Sequence, residues 1–293
     1  MFINVIGWYN ERNTGDESFR MVFDQLFFDH DIVYSKHVND AADRIVFGGG
    51  GVMCKDYLDN LGSRPAYAIG VDVALSGPHY ERLRELNFKS IVIRSQQYAR
   101  IAKERGWKEV SYAPDIALSL DYPNHYPVRN RIGIILTHEL PIEKEKDILA
   151  FIGYLKKAGK DPVFIAMYDG LYPDSVTCRR ISKDLPLHRN NSPLSVIRSI
   201  ASCESIVSMR FHGSIFAAGI GVPFISLGNQ GKHSLFCEQE SLNDSFIDLK
   251  NLDFNALRTT YETKTSSYCN ANNYDLLNGQ ILPEFKRRVL SNS

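Results

Sequence analysis

The segment SIVSMRFHGSIFAA, residues 205–218, contains an apolar run that predicts a β-strand, followed at once by the start of a predicted α-helix. The same order of strand and helix recurs on both sides of it, along most of the chain. In the helical stretches the apolar residues repeat at helical spacing, as Phe19, Val22 and Phe23 do. Strands that alternate with helices predict an α/β fold with mainly parallel, doubly wound sheets.

The alternation occurs twice, with a polar and proline-containing segment, residues 121–127, between the two halves. That segment has the composition of a linker. We therefore predict two Rossmann-like domains with a cleft between them: residues 1–122, and residues 128–293 ending in a terminal helix that is interrupted near Pro283. The predicted strands are residues 2–7, 31–34, 44–47, 66–71, 90–94, 109–112, 132–136, 162–167, 205–208 and 223–227. The predicted helices are residues 15–28, 80–86, 96–105, 143–158, 175–185, 193–203, 212–218, 234–242 and 274–290.

Composition excludes several classes of protein. With 44% hydrophobic residues, the 293-residue chain can bury a real core and is not a disordered protein. Its 34 basic and 34 acidic residues give a formal charge of zero, so the basic surface typical of nucleic-acid-binding proteins is absent at the level of the whole chain. Residues 1–10 do not resemble a signal peptide, and we find no membrane-spanning segment. We expect a cytoplasmic protein.

The cysteines and histidines predict no metal site. The five cysteines are widely spaced, odd in number and without a C-x-x-C pair, so we expect buried, reduced thiols rather than disulfides or a zinc site. The histidines form no cluster with metal-ligand spacing. The cysteines are Cys54, Cys178, Cys203, Cys237 and Cys269.

The strongest candidate for chemistry is the pair Arg210 and His212, which lies where a predicted strand ends and a helix begins. Ligands of open α/β sheets bind beyond the carboxyl ends of the strands, and a helix N-terminus there attracts anions. Arg210 supplies a guanidinium suited to a carboxylate or phosphate, and His212 a group that exchanges protons near neutrality. The alternative is that His212 belongs to the helix cap region and Arg210 forms a surface ion pair.

Two glycine-containing segments are weaker candidates. Residues 48–51 are four consecutive glycines after a strand, and Gly49 and Gly50 would allow close approach to a ligand or simply form a tight turn. Asn13 and Asp16 lie between the first strand and the first helix. Asp16 could orient a sugar hydroxyl, act as a base, or cap the helix.

Two further cations also lie beyond strands. Arg94 ends a strand of the first half, and together with Arg210 it would match a doubly charged ligand. Lys232 follows the last strand of the second half, and it either contacts a ligand or lies solvated in a loop.

The order and spacing of these residues resemble those of the polysaccharide pyruvyl transferase family, from about residue 5 to residue 240. The most specific part is Ser208-x-Arg210-x-His212, followed by Gly221-Val222-Pro223 and Lys232. The other matching segments are Asn13-Thr14-Gly15-Asp16, Gly48-Gly49-Gly50, Arg94 and Pro114-Asp115.

The resemblance implies a two-domain fold similar to that of B-type glycosyltransferases. It also implies an enzyme that moves the enolpyruvyl unit of phosphoenolpyruvate onto a sugar of a cell-envelope glycan or glycolipid precursor, forming a pyruvate ketal. Arg94, Arg210 and His212 would hold phosphoenolpyruvate, with His212 as general acid/base. Phosphoenolpyruvate would be the donor substrate, with no further cofactor, no metal and no nucleic acid.

The remaining assignments are less specific. Asp16 is a catalytic candidate on the acceptor side. Asn13, Gly49, Gly50 and Lys232 are substrate-binding candidates.

Two alternatives remain open at this stage. One is a nucleotide-sugar-dependent glycosyltransferase on the same scaffold, because a fold does not fix a function. The other is a non-catalytic carbohydrate-binding relative of the enzymes.

Overall fold

The computed structural model describes residues 1–58, 61–73, 83, 85–189, 192–263 and 271–291. The chain divides into two compact units. The first consists of Met1–Asn10, Asp16–Leu120 and Ala271–Ser293, and the second of Glu11–Gly15 and Asp121–Asn270.

The first unit is built on a six-stranded sheet with the strand order β2-β1-β3-β4-β5-β6, in which every pairing is parallel. Its core contains the buried side chains of Ile6, Phe47 and Ile93. The strands are β1 (Phe2–Ile6), β2 (Asp31–Ser35), β3 (Arg44–Met53), β4 (Ala66–Val73), β5 (Phe88–Ile93) and β6 (Val110–Tyr112). The α-helices in the first part of the chain are α1 (Thr14–Leu26), α2 (Lys55–Leu58) and α3 (Gln96–Glu104), followed by a 3-10 turn at Ile116–Ser119.

The second unit repeats this plan with the order β12-β11-β10-β7-β8-β9, again parallel throughout. Its core contains Ile134, Phe151 and Val207. The strands are β7 (Arg131–Ile135), β8 (Asp161–Ile165), β9 (Leu187–His188), β10 (Ser205–Ser208), β11 (Phe224–Gly228) and β12 (Phe246–Asp248). The α-helices are α4 (Glu145–Lys157), α5 (Asp174–Ile181), α6 (Pro193–Ala201), α7 (Phe211–Ile220), α8 (Lys232–Gln239) and α9 (Phe254–Thr263), and 3-10 turns lie at Ile142–Lys144, Asn243–Ser245 and Leu249–Asn251.

The α/β class predicted from the alternation is confirmed, and each predicted strand overlaps an observed one. Strands β9 and β12 and helices α2 and α9 were not predicted. The first two are only two and three residues long, too short to show a period. The predicted helix 80–86 and Cys269 lie largely or wholly outside the described residues.

The glycine run is part of a strand, which corrects the predicted turn. Gly48–Gly51 continue β3, and the pairing of β3 with β4 shifts register between Gly50 and Met53. Gly49 and Gly50 have φ angles of 76° and 71°, which favour glycine. A Cβ on Gly49 would stand 2.2 Å from the ring of Phe19, so this strand and α1 pack closely only because residue 49 has no side chain.

The C-terminal segment belongs to the first unit, whereas the sequence placed it in the second domain. It forms α10 (Ala271–Leu276), a π-helical stretch (Leu277–Ile281) and α11 (Leu282–Leu290), so the predicted interruption falls just before Pro283. Phe285 of α11 is buried and meets the ring of Tyr67 at a centroid distance of 6.4 Å. Arg44 donates to the carbonyl of Val289 at 2.7 Å. Such long-range packing leaves no local signal in the sequence.

None of the described helices combines the length and apolar character that a membrane crossing needs. Cys178, Cys203 and Cys237 are buried free thiols, and Cys54 is half-buried and free. Burial raises the pKa of Cys178 and of Cys203 to about 12, which keeps both thiols protonated.

Candidate active site

Two hydrogen bonds and one glycine determine the shape of the turn between β10 and α7. The hydroxyl of Ser208 donates to the carbonyl of Arg210 at 2.8 Å, and the N–H of Met209 donates to Ile135 of the neighbouring strand β7 at 2.9 Å. A Cβ on Gly213 would lie 2.2 Å from the Ser208 hydroxyl. The first turn of α7 therefore packs onto the end of β10 only because residue 213 is glycine, and Arg210 and His212 are held at the carboxyl edge of the sheet.

A buried carboxylate orients Arg210. Asp174, the first residue of α5, is fully buried. Its Oδ1 accepts from Nη2 of Arg210 at 2.5 Å, and both oxygens lie 3.2 Å from Nε. Its Oδ2 also accepts the backbone N–H groups of Met167 and Tyr168 at 3.0 and 3.1 Å. Burial raises the pKa of Asp174, and Arg210 and the two N–H groups offset part of that rise.

The other side of the Arg210 guanidinium remains accessible. The ring of Tyr168 lies against it, with a distance of 5.1 Å from Cζ to the ring centroid. The Arg210 side chain keeps 20% of its surface exposed. Within the described part of the chain, the hydrogen bonds of Arg210 use Nε and Nη2, and Nη1 takes no part in them.

His212 packs against the segment Glu11–Gly15, which belongs to the second unit. The N–H of Thr14 donates to the carbonyl of Met167 at 2.9 Å, which anchors the segment at the end of β8. The side chain of Asn13 accepts the N–H of Gly15 at 3.1 Å. A Cβ on Gly15 would stand 2.2 Å from Nδ1 of His212. The structure thus brings two sequence candidates, Asn13 and His212, to one place.

Lys232 lies on the other side of the same turn. Its Nζ is 5.8 Å from the ring centroid of Phe211, the residue between Arg210 and His212. The ring of Phe211 also meets His233 edge-on at 5.5 Å. His233 is buried and bonded through Nδ1 to the hydroxyl of Ser226 at 2.8 Å. Residues 210–212 therefore have Lys232 beside Phe211 and Asp174 on Arg210, all within the second unit.

Four sequence candidates lie in the first unit: Asp16, Gly49, Gly50 and Arg94. Asp16, in the first turn of α1, has Oδ1 at 3.2 Å from the position that a Cβ on Gly50 would take. Gly49 packs against Phe19 instead. The structure thus brings Asp16 and Gly50 together, and their ligand contacts stay a prediction.

Two carboxylates of the first unit bind Arg94. Its Nε donates to Asp72 at 2.8 Å, its Nη2 also donates to Asp72, and its Nη1 donates to Asp115 at 2.8 Å. Burial alone would lower the pKa of Arg94, but the two carboxylates raise it above its ordinary value. The donor contact predicted for Arg94 gains no support from this arrangement, whereas a structural role follows directly from it.

Sequence reasoning missed Asp174 and Tyr168, which hold Arg210. Both lie just beyond β8, at the same edge of the sheet as the end of β10. The available signal was an acidic residue in the loop YDGLYPD, residues 168–174, after a predicted strand. An acidic residue after a strand does not predict the order of the strands, and it is this order that brings β8 close to β10.

Among the described residues, no group of three or more His, Cys, Asp or Glu side chains could hold a metal ion. The chemistry available at this edge is that of a fixed guanidinium, an imidazole and a second cation. Such a set suits a small anion that exchanges a proton.

Comparisons with known proteins agree with this chemistry. The profile of the family named Polysaccharide pyruvyl transferase matches residues 2–231. The chain therefore belongs to the polysaccharide pyruvyl transferase family, and it is a transferase with a general role as a polysaccharide pyruvyltransferase. The comparison with curated proteins gives no match.

Solved structures show similar folds. One is described as an uncharacterized protein from Klebsiella pneumoniae subsp. pneumoniae NTUH-K2044, with a TM-score of 0.53, 15% identity, and coverage of 84% of this chain and 92% of that chain. An alpha-glucosyltransferase in complex with UDP and a 13-mer DNA has a TM-score of 0.44 and 11% identity, with coverage of 98% of this chain and 95% of that chain. CalG4, the calicheamicin glycosyltransferase, has a TM-score of 0.46 and 11% identity, with coverage of 99% of this chain and 94% of that chain. At TM-scores this low, the two glycosyltransferases decide nothing about this chain.

Replacing Asp174 by Asn tests the anchoring of Arg210. The variant should lose about 3 kcal/mol of unfolding free energy, because it leaves a largely buried guanidinium without its counter-charge. Asp169→Asn is the matched control. Its carboxylate lies 3.8 Å from Arg12 and from Arg189 and is partly exposed, so the expected loss is below about 1 kcal/mol. Urea unfolding measures the free energy of unfolding of both variants. Equal losses in Asp174→Asn and Asp169→Asn would contradict the anchoring role of Asp174.

Replacing Gly15 by Ala tests the contact with His212. The added methyl group would lie 2.2 Å from Nδ1, so the imidazole has to move. We expect the imidazole NMR signals of His212 to shift in Gly15→Ala. They should stay in place in Gly153→Ala, where no atom lies within 4 Å of the added carbon. An unchanged His212 signal in Gly15→Ala would show that the packing differs from this structure.

Proposed function

We propose that the second unit binds phosphoenolpyruvate at Arg210 and His212 and transfers its enolpyruvyl unit to two hydroxyls of a sugar, giving a pyruvate ketal. The observation that carries the proposal is the guanidinium of Arg210, which buried Asp174 orients at 2.5 Å in the same turn that carries His212. Membership of the pyruvyl transferase family supports the class of reaction.

The anionic groups of the donor find three positive features in one place. The Nη1 side of Arg210 offers N–H donors whose direction is set by the contacts at Nε and Nη2. Helix α7 begins at Phe211 and directs its positive end toward the same edge. Lys232 supplies a second charge beside Phe211. A dianion or trianion suits this set better than a neutral ligand does.

His212 is the proposed general acid/base. In the reaction a proton adds to C3 of phosphoenolpyruvate, which turns the methylene carbon into a methyl group and makes C2 electrophilic. One sugar hydroxyl forms a C–O bond to C2, the bond between C2 and the phosphate oxygen breaks, and a second hydroxyl closes the ketal. The two hydroxyl protons balance the proton gained at C3 and the one carried away by phosphate. An imidazole exchanges such protons near neutrality.

The cations stabilise the charge that develops on the departing phosphate. Because Asp174 and Tyr168 hold Arg210 before the donor arrives, little reorganisation is needed as charge moves. The sugar acceptor fits the family, and Asp16 of the first unit stays the candidate on the acceptor side.

Replacing Arg210 by Lys should weaken the binding of phosphoenolpyruvate about 10- to 100-fold, because a point charge cannot replace the directed fork. Isothermal titration calorimetry measures the Kd. Arg198→Lys is the matched control, since Arg198 is exposed at the end of α6. A Kd unchanged by Arg210→Lys would remove Arg210 from the donor site.

Replacing His212 by Ala should lower the rate of phosphate release from phosphoenolpyruvate in the presence of glycan acceptors by about 100-fold or more, because the proton transfer to C3 loses its acid. His37→Ala, at an exposed histidine of the first unit, should leave the rate unchanged.

The native protein should also be stabilised against heat by phosphoenolpyruvate and not by UDP-glucose. Stabilisation by UDP-glucose alone would favour a nucleotide-sugar glycosyltransferase instead.

A further inference from the structure

The loop of residues 168–174 is tied to Arg210 at both ends. Tyr168 lies under the guanidinium and Asp174 binds it. The loop is tightly folded, because the N–H of Leu171 donates to the Tyr168 hydroxyl at 3.2 Å and a Cβ on Gly170 would stand 2.1 Å from that oxygen. Tyr172 is two residues from Asp174, so their Cα atoms lie within about 7.6 Å of each other.

The ring of Tyr172 is stacked on the ring of His138. Their centroids are 4.9 Å apart and the planes meet at 26°. His138 is in the turn after β7, where the N–H of Leu140 donates to the carbonyl of Thr137 at 3.2 Å. Since β7 pairs with β10, this turn lies at the same edge of the sheet as Arg210.

The stacked rings are exposed to solvent. Tyr172 has 56% of its surface exposed, the preceding Leu171 has 79%, and His138 is exposed as well. Aromatic side chains with a few polar groups beside them are a common lining of ligand-binding sites. Beyond Tyr168, Asp169 has one oxygen 3.8 Å from Arg12 and the other 3.8 Å from Arg189.

We propose that Tyr172, backed by His138, is a stacking platform for the pyranose ring of the sugar acceptor. The inference rests on the proposed function, since it assigns the acceptor subsite of the same reaction. A pyranose has an apolar face of C–H groups, which packs on an aromatic ring, and hydroxyls at its rim, which need polar partners. Asp169 and the two arginines beside it provide such partners.

The geometry also explains why the platform belongs to this loop. A sugar stacked on Tyr172 would lie on the same loop as the groups that orient Arg210. A donor on the Nη1 side of Arg210 and an acceptor on Tyr172 would therefore both depend on the loop of residues 168–174. The contacts of Tyr168 and Asp174 connect the loop that carries Tyr172 to Arg210, and positioning of this kind is what a reaction between two bound substrates requires.

Saturation-transfer difference NMR tests the platform directly. The probes are the methyl pyranosides of glucose, galactose and mannose, with uridine as the comparison ligand, on the full-length protein. We expect transfer to the ring C–H protons of at least one pyranoside, reduced about fivefold or more in Tyr172→Ala and retained in Tyr172→Phe, because the ring rather than the hydroxyl carries the contact.

Tyr126→Ala is the matched control. Tyr126 is 48% exposed and precedes β7 at the amino edge of the same sheet, where its N–H bonds to the carbonyl of Ala201. This variant should give the native signal. Native transfer in Tyr172→Ala, no transfer to any pyranoside in the native protein, or transfer to uridine alone would each overturn the platform.

A parallel measurement separates this inference from the donor assignment. Heat stabilisation by phosphoenolpyruvate should be equal in the native protein and in Tyr172→Ala, because Tyr172 has no part in donor binding. Loss of stabilisation in Tyr172→Ala alone would overturn the platform, since the residue would then belong to the donor site. Absence of stabilisation in the native protein would contradict the donor assignment, while the pyranoside signals would still decide the platform.

Discussion

The ion pair between Asp174 and Arg210 is the interaction on which the candidate site depends. A fully buried carboxylate is costly unless it is compensated, and here a guanidinium and two backbone N–H groups compensate it. The same contacts connect the loop after β8 to the turn after β10. The fold itself therefore sets the position of the positive charge that would bind a substrate, before the substrate binds.

Close packing by glycine supports this arrangement on both sides. Gly213 lets α7 start against Ser208, and Gly15 lets the segment Glu11–Gly15 lie against His212. In each case a neighbouring side chain occupies the space that a methyl group on the glycine would need. This close packing explains why glycine occurs at both positions, each next to a residue with a candidate chemical role.

The sequence was sufficient for the α/β class and for the turn that carries Arg210 and His212, because both follow from local patterns. It was insufficient where a partner comes from elsewhere in the chain. Asp174 reaches Arg210 only through the order of the strands, and α11 belongs to the first unit only through contacts such as Phe285 with Tyr67. For the glycine run the sequence allows either close approach to a ligand or a tight turn, whereas the structure places it in β3, where the pairing with β4 shifts register. The charge of Arg94 and the family resemblance predict a donor contact for it, which stays a prediction, and the sequence does not show that Asp72 and Asp115 bind its guanidinium.

A crystal structure of the native protein with phosphoenolpyruvate would show whether Arg210 and His212 hold the donor. We expect a carboxylate or phosphate oxygen of the donor about 3 Å from Nη1 of Arg210, with the imidazole of His212 facing its C3 carbon and the contact of Arg210 with Asp174 intact. A donor bound away from residues 210–212, or held there only after Arg210 has left Asp174, would contradict it.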